Sequence, residues 1–348
     1  MTEAGNLGED RRVNVERDVS GSVIVTGTGN KVVMYPHGPQ PSQIKREMPS
    51  LLPYLPNRAE QEFELNNALQ KLLQRASSCP LVCIVHGDEL QCHDKFLERL
   101  TKVSLPRLLR LNPHQTVIKA FPLNWPSELK DLSKIHERLS QDLANTVRED
   151  SFASLEEINE DFCKSYDLVI IQIHLLTDDF RQKESDILTK LLHFCQKWPA
   201  LISNQRLIIC LFVKYQNEQE TCSRLSWLDW LLSWRRVFFR RRRRRQINRK
   251  IQQQIEVLSA SEFNEFNRLV GVVLPKLSGV NRTEVENWAR SAPTKEFVGE
   301  TEIEMLISKV RDMFDRWEER NSLNTIPMDY LAEELRGLLK VFMENKRR

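Results

Sequence analysis

Four apolar runs set the limits on this fold: residues 81–85 (LVCIV), 116–121 (TVIKAF), 168–175 (LVIIQIHL) and 207–213 (LIICLFV). Each is short and close to continuously apolar, the pattern of strands covered on both faces. Amphipathic stretches of helical period separate them, at 94–109, 128–147, 155–163 and 184–198. Another begins near Asn57, whose side chain is placed to cap it. Strands alternating with helices predict a doubly wound α/β domain built on a mainly parallel sheet. At 348 residues, 41% of them hydrophobic and 28% charged, the chain can bury one such core and carry smaller appendages.

The junction after the first run has the layout of a phosphate-binding loop without its chemistry. Such a loop follows a buried strand and reads glycine, four residues, then Gly-Lys-Ser/Thr at the start of a helix; its amides and lysine hold phosphate and its hydroxyl holds magnesium. In the stretch from His86 to Asp94, Gly87 matches the first glycine, but Cys92, His93 and Asp94 stand where Gly-Lys-Ser/Thr is required, after Gln91. Asp88 and Glu89 add two carboxylates that would repel a triphosphate at close range. The third run makes an independent test. A strand that helps bind Mg²⁺ places an acid near its end, yet the corresponding position here is Gln172, a neutral amide. Asp178 and Asp179 come six and seven residues later. The two losses together predict a sheet of P-loop NTPase type with no catalytic residues, no cofactor and no metal.

The loop also permits other readings. His86, Asp88, Cys92 and His93 are metal-ligating types, and Cys92 beside an imidazole is a candidate thiolate nucleophile. Adjacent Cys92 and His93 point to different faces of a helix, and no second ligand cluster supports them. A divergent NTPase or hydrolase using this loop is the enzymatic alternative.

The net charge of +3 conceals a local device. Residues 235–250 hold ten Arg or Lys and no acid, leaving 41 basic against 48 acidic residues elsewhere. On a helix Trp227, Trp230, Trp234 and Phe238 share one face, while Ser226, Asp229, Ser233 and Arg236 form a thin polar stripe. Arg235 and Arg236 precede the unbroken run Arg240, Arg241, Arg242, Arg243, Arg244 and Arg245. This arm, residues 224–250, fits an anionic membrane surface, with tryptophans at headgroup depth. Nucleic-acid phosphates are the second choice of target, and packing of the tryptophans into the body is the plain structural alternative.

Residues 1–35 contain alternating valines around Gly27-Thr28-Gly29-Asn30 and predict a β-hairpin that associates with a copy of itself or with a partner. Six of the fifteen prolines fall within 36–56, which predicts an extended linker. The α/β domain is expected over 57–290, with a helix over 262–277 and a short one over 280–289. Residues 291–348 are expected to form a helical region built around a hairpin. The seven cysteines contain no C-x-x-C pair, and the chain has no apolar leader or run long enough to span a membrane. A cytoplasmic protein, peripheral to the inner membrane face through its arm, is the expectation.

The segments PYLPNRAEQEFELNNALQKLLQ, VCIVHGDELQCHDKFLERL and VLPKLSGVNRTEVENWAR, with the acid-free third strand between them, resemble the inactive STAND domain of bacterial, often cyanobacterial, proteins over roughly 50–290. That family is similar to the STAND class of P-loop NTPases with its nucleotide motifs eroded. The resemblance implies a non-catalytic adaptor or sensor in bacterial signalling or defence whose partners are signalling or effector proteins. It supplies no catalytic residue.

Overall fold

The computed structural model describes residues 48–345 apart from 75–77, 112–115, 130, 151, 178, 182–186, 203–204 and 217–226, with the backbone alone at 181, 227–241 and 345. The expected hairpin at 1–35 lies outside the described residues. Helix α1 (Ala59–Gln74) leads into β1 (Leu81–Asp88), and a helical run follows as α2 (His93–Arg99), a π turn (Leu100–Ser104) and α3 (Leu105–Leu108). Next come β2 (Ile118–Asn124), α4 (Leu132–Arg148), α5 (Leu155–Ser165), β3 (Leu168–Leu176), α6 (Ile187–Gln196), β4 (Leu207–Tyr215) and α7 (Trp227–Ala260). After β5 (Val270–Val273) the chain forms β6 (Val280–Asn281), α8 (Arg282–Ala289), α9 (Ala292–Val298), α10 (Ile303–Asn321), β7 (Thr325–Ile326) and α11 (Met328–Asn345).

The five long strands form one parallel sheet in the order β2-β3-β4-β1-β5. Alternate residues of each strand serve opposite layers. Val82, Ile84, Ile171, Ile173, Ile209 and Leu211 pack with α4, α5, α6 and the second half of α7, whereas Leu81, Cys83, Ile170, Ile208 and Phe212 pack with α1 and the α2–α3 run. Burial on both faces is why β1, β3 and β4 read as continuous apolar runs. Edge strand β2 carries Pro122, which removes a donor where no second neighbour could use it.

Several expectations are corrected. Strand β1 does not stop at Val85: it pairs with β4 through Asp88, so His86, Gly87 and Asp88 are strand residues. Residues 262–277 are not a helix. The backbone turns through positive φ at Glu262 and Phe263, and β5 then adds to the free edge of β1. Gly271 is needed there, because a Cβ would fall 2.1 Å from the Phe263 ring. The arm does not end at residue 250: α7 continues to Ala260 and buries Ile251 and Ile255 in the main core. Asn57 does not cap α1; it sits at φ 41° and its amide donates to Glu284.

The linker reading fails at its C-terminal end, where Leu52–Tyr54 form a 3₁₀ turn and Leu51 and Leu52 are buried. Leu52 joins a separate core made by α8 to α11, which draws in Val280, Val285 and Trp288 and therefore begins before residue 291. Trp288 Nε1 donates to the Leu52 carbonyl at 2.9 Å, and Arg336 donates to the Tyr54 hydroxyl at 2.8 Å. Pro53 sits in the first turn of that 3₁₀ segment, where its fixed φ is compatible with the turn, and the strap is held on the helical core instead of detached from it.

Candidate functional site

In an open α/β sheet ligands bind beyond the carboxyl ends of the strands, where the order reverses. Here that place is the junction of β1 and β4, with the turn after β1 above it. The turn is short. Glu89–Gln91 make one 3₁₀ turn, Cys92 adopts a left-handed conformation at φ 52°, and α2 starts at His93. The chain's own side chains fill the space. Gln91 is buried and accepts from Arg58 at 3.2 Å, while a second guanidinium nitrogen of Arg58 donates to the Ser278 carbonyl at 3.1 Å. Burial, reinforced by nearby Arg99, lowers the Arg58 pKa to about 10.

Each replaced position is accounted for. His93, at the lysine position, is 1% exposed and packs edge-on against Phe212. Neither of its ring nitrogens has a hydrogen-bond partner among the described residues. Burial, then Lys214 and His174, push the imidazole down to about 3, so it is neutral and brings no charge for phosphate. Cys92, at the glycine position, directs its thiol to the Asp329 carboxylate of α11 at 3.5 Å. Burial first, and Asp329 next, push that thiol up to about 12, the opposite of a nucleophile's requirement. Asp94, at the hydroxyl position, faces solvent within 3.4 Å of both Lys214 Nζ and His174 Nε2. Gly87 is required for packing, since a Cβ would lie 2.7 Å from the Leu277 carbonyl oxygen and from its Cβ.

The rest of the sheet edge is likewise engaged. His86 Nδ1 lies 2.8 Å from the Tyr215 hydroxyl, and Lys276 sits over the Tyr215 ring while pairing with Asp88 at 3.2 Å. Burial, then Lys276, lower His86 to about 4; burial also raises the Tyr215 pKa. Gln172 is half-buried inside β3, between Pro122 and Cys210 of the neighbouring strands, and Asp179 accepts from the Leu176 amide at 2.8 Å beyond the strand end. His174, two residues after Gln172, stacks on Phe212 at 4.9 Å. Among the described residues no group of three or more His, Cys, Asp or Glu is placed to hold a metal ion.

The sequence reading missed the residues that hold this region together. Glu62 is buried on α1, accepts from Arg99 at 2.8 Å, Arg107 at 2.6 Å and the Ser104 hydroxyl at 2.8 Å, and ties α1 to the α2–α3 run. Arg58, Glu62 and Asp329 belong to no recognisable spacing, because their partners lie 33 to 237 residues away.

The second candidate region is α7. Arg242, Arg243 and Arg245 are exposed and Arg244 is half-buried, all just before the first core contacts of the helix. The backbone is helical from Trp227, so the aromatic and basic segments belong to one continuous helix. The side chains of Trp227, Trp230, Trp234, Arg235, Arg236, Phe238, Arg240 and Arg241 lie outside the described residues. No helix among the described residues is long and apolar enough to cross a membrane.

Residues 53–213 match the model of the inactive STAND family, from the proline strap through β4. The span is similar to a degenerate NTPase-like module, and the match does not reach the segment 273–290. No curated protein matches the chain. Among solved structures it is similar to the Aeropyrum pernix ORC1 protein in complex with DNA, at 12% identity and a TM-score of 0.37, covering 84% of this chain and 62% of that one. The Aeropyrum pernix ORC2 protein in its ADPNP-ADP complexes gives 12% and 0.33, covering 80% and 66%. Drosophila ORC bound to DNA gives 9% and 0.32, covering 88% and 70%. The chain thus spans less than two thirds of the first two.

Proposed function

We propose that this chain is a non-catalytic STAND-like adaptor or sensor in bacterial signalling or defence, acting through protein association and through an arm that meets an anionic surface. The observation that carries the first half is the closed turn after β1. A phosphate cradle needs free amides, a mobile cation and room. Here the lysine position is a buried neutral histidine, and the turn is pinned by Arg58 and Asp329. Retaining such a sheet without its nucleotide chemistry supports a role in binding other proteins, signalling or effector partners among them, with residues 1–35 as a self-association element. The arm reading rests on the ten basic residues of 235–250 and on the exposure of Arg242, Arg243 and Arg245. An anionic leaflet is the target we favour, which would place the protein in the cytoplasm at the inner membrane face.

Calorimetric titration with ATP and GTP, with and without Mg²⁺, tests the carrying observation. No binding at micromolar concentration and no hydrolysis are expected. Tight Mg²⁺-dependent binding would overturn the reading and restore the divergent NTPase.

A further inference from the structure

We propose that the outer face of the α10–α11 hairpin is a self-association surface whose occupant is a second copy of this chain. The two helices bound a groove of about 340 Å³ whose lining includes Arg316, Trp317 and Arg320 from α10 and Tyr330, Glu333 and Glu334 from α11. Trp317 and Tyr330 lie within it, with ring centroids 5.8 Å apart, and Trp317 is fixed by a 3.0 Å hydrogen bond from Nε1 to the Thr325 carbonyl. Tyr330 is 41% exposed, and Leu323, in the hairpin turn, is 55% exposed.

The charges select the occupant. Arg320, Glu333 and Glu334 are exposed and make no hydrogen bond or ion pair to any described residue, although residues of both signs line the same groove. Arg316 uses only Nε, on the carbonyl of Asp312 in its own helix at 3.2 Å. The groove is therefore flanked by a basic row on one helix and an acidic row on the other, with an aromatic axis between. A two-fold interface presents the same patch from both sides, so the patch must be its own complement. Rotation about a two-fold axis that lies in the interface and runs along the groove, between the two helices, sets each basic row against the partner's acidic row. A flank of one sign could not do this. Tyr, Trp and Arg are also the side chains enriched at the desolvated centres of protein interfaces.

Light scattering and sedimentation on the full chain test the proposal with two charge reversals, R316E/R320E and E333R/E334R. The wild type is expected to form a reversible dimer. Each reversal alone should raise the dissociation constant at least about tenfold, because like charges then face each other on both flanks. An equimolar mixture of the two variants should recover association as a heterodimer, since an all-acidic face then meets an all-basic one. Recovery also shows that both variants fold. If either reversal lowers the melting temperature, the single changes Arg320→Ala and Glu334→Ala should still weaken the dimer in the same direction. A wild type that stays monomeric, or a mixture no tighter than its components, overturns the proposal. So does a dimer insensitive to all four charges, which would assign association to residues 1–35 instead. Nucleotide binding does not enter this test, so its result stands apart from that of the functional reading above.

Discussion

The turn after β1 and the basic stretch of α7 are both crowded with polar groups, and they use them in opposite ways. At the turn, Arg58, Gln91, Cys92 and Asp94 each find a partner within the chain, and the neutral His93 is sealed under Phe212. On α7, Arg242, Arg243 and Arg245 face solvent. A charge satisfied inside a fold shows itself as stability, because removing it strands its partners. A charge left in water contributes little to stability and is available to a second molecule. The contrast separates a part of this protein whose polar groups are engaged within the chain from a part whose charges face solvent.

The largest effect is expected at the solvent-facing region. Replacing Arg240 to Arg245 with glutamine should weaken binding to anionic vesicles by several kcal/mol, since each basic residue near an anionic leaflet contributes about 1 kcal/mol. The loss should shrink at high salt. Flotation at two salt concentrations, with single-stranded RNA titrated in parallel, measures it. Selective loss of RNA binding would reassign the arm to nucleic acid, and equal behaviour of both proteins in both assays would end the contrast.

A comparable loss, now in stability, belongs to the engaged region. Glu62→Ala removes the carboxylate that faces Arg99, Arg107 and the Ser104 hydroxyl, and leaves the largely buried Arg99 without its counterion. Breaking a buried pair from one side costs about 3–5 kcal/mol. Urea unfolding should show that drop; a change below about 1 kcal/mol would mean the cluster is solvated and loosely held.

His93 gives a smaller, graded effect. Its folded pKa is depressed to about 3 from an ordinary 6.5, so between those values the unfolded chain binds the extra proton. Stability from this group is fully present above pH 6.5 and falls as pH drops below it, by up to about 1.4 kcal/mol per pH unit. His86 and His174, also lowered chiefly by burial, add slopes of the same sign. Lys214, His174 and Arg58 disfavour the imidazolium and Asp94 favours it. His93→Leu should flatten the acid limb of a stability–pH curve, and an unchanged slope would show that water already reaches the ring.

Legibility from sequence followed the same division. Strands β1, β3 and β4 could be read because burial on both faces leaves a continuous apolar signature, edge strand β2 because Phe121 and Leu123 on one face are buried, and the α10–α11 hairpin because one face of each helix is buried at helical spacing. Strand β5 could not, since Val270–Val273 are only partly buried and form a strand through the free edge of β1. Gly87 reads as a loop residue because His86-Gly87-Asp88 breaks the apolar run, yet backbone pairing with β4 carries the strand through it. The missing lysine, hydroxyl and acid of the nucleotide site were visible as residue types. What fills their place was not, because Arg58 with Gln91 and Cys92 with Asp329 are contacts that only the folded chain creates.

The smallest expected effect is the most exacting test of the contrast. Changing Arg242, Arg243 and Arg245 to glutamine should leave unfolding free energy within about 0.5 kcal/mol of wild type, as for surface substitutions away from special features. The fold's hold on α7 comes instead from Ile251 and Ile255, which are 2% and 1% exposed in the main core. Ile251→Ala, a paired control on the same helix, should lose about 2–5 kcal/mol by emptying that contact. Denaturant curves for the two variants place the boundary between anchor and arm at the turn of helix between Arg245 and Ile251. If the glutamine variant lost more than about 1 kcal/mol, the basic stretch would be holding the body together. Any fall in vesicle binding would then have to be read as partial unfolding, and the solvent-facing arginines could no longer stand as a surface kept for a partner.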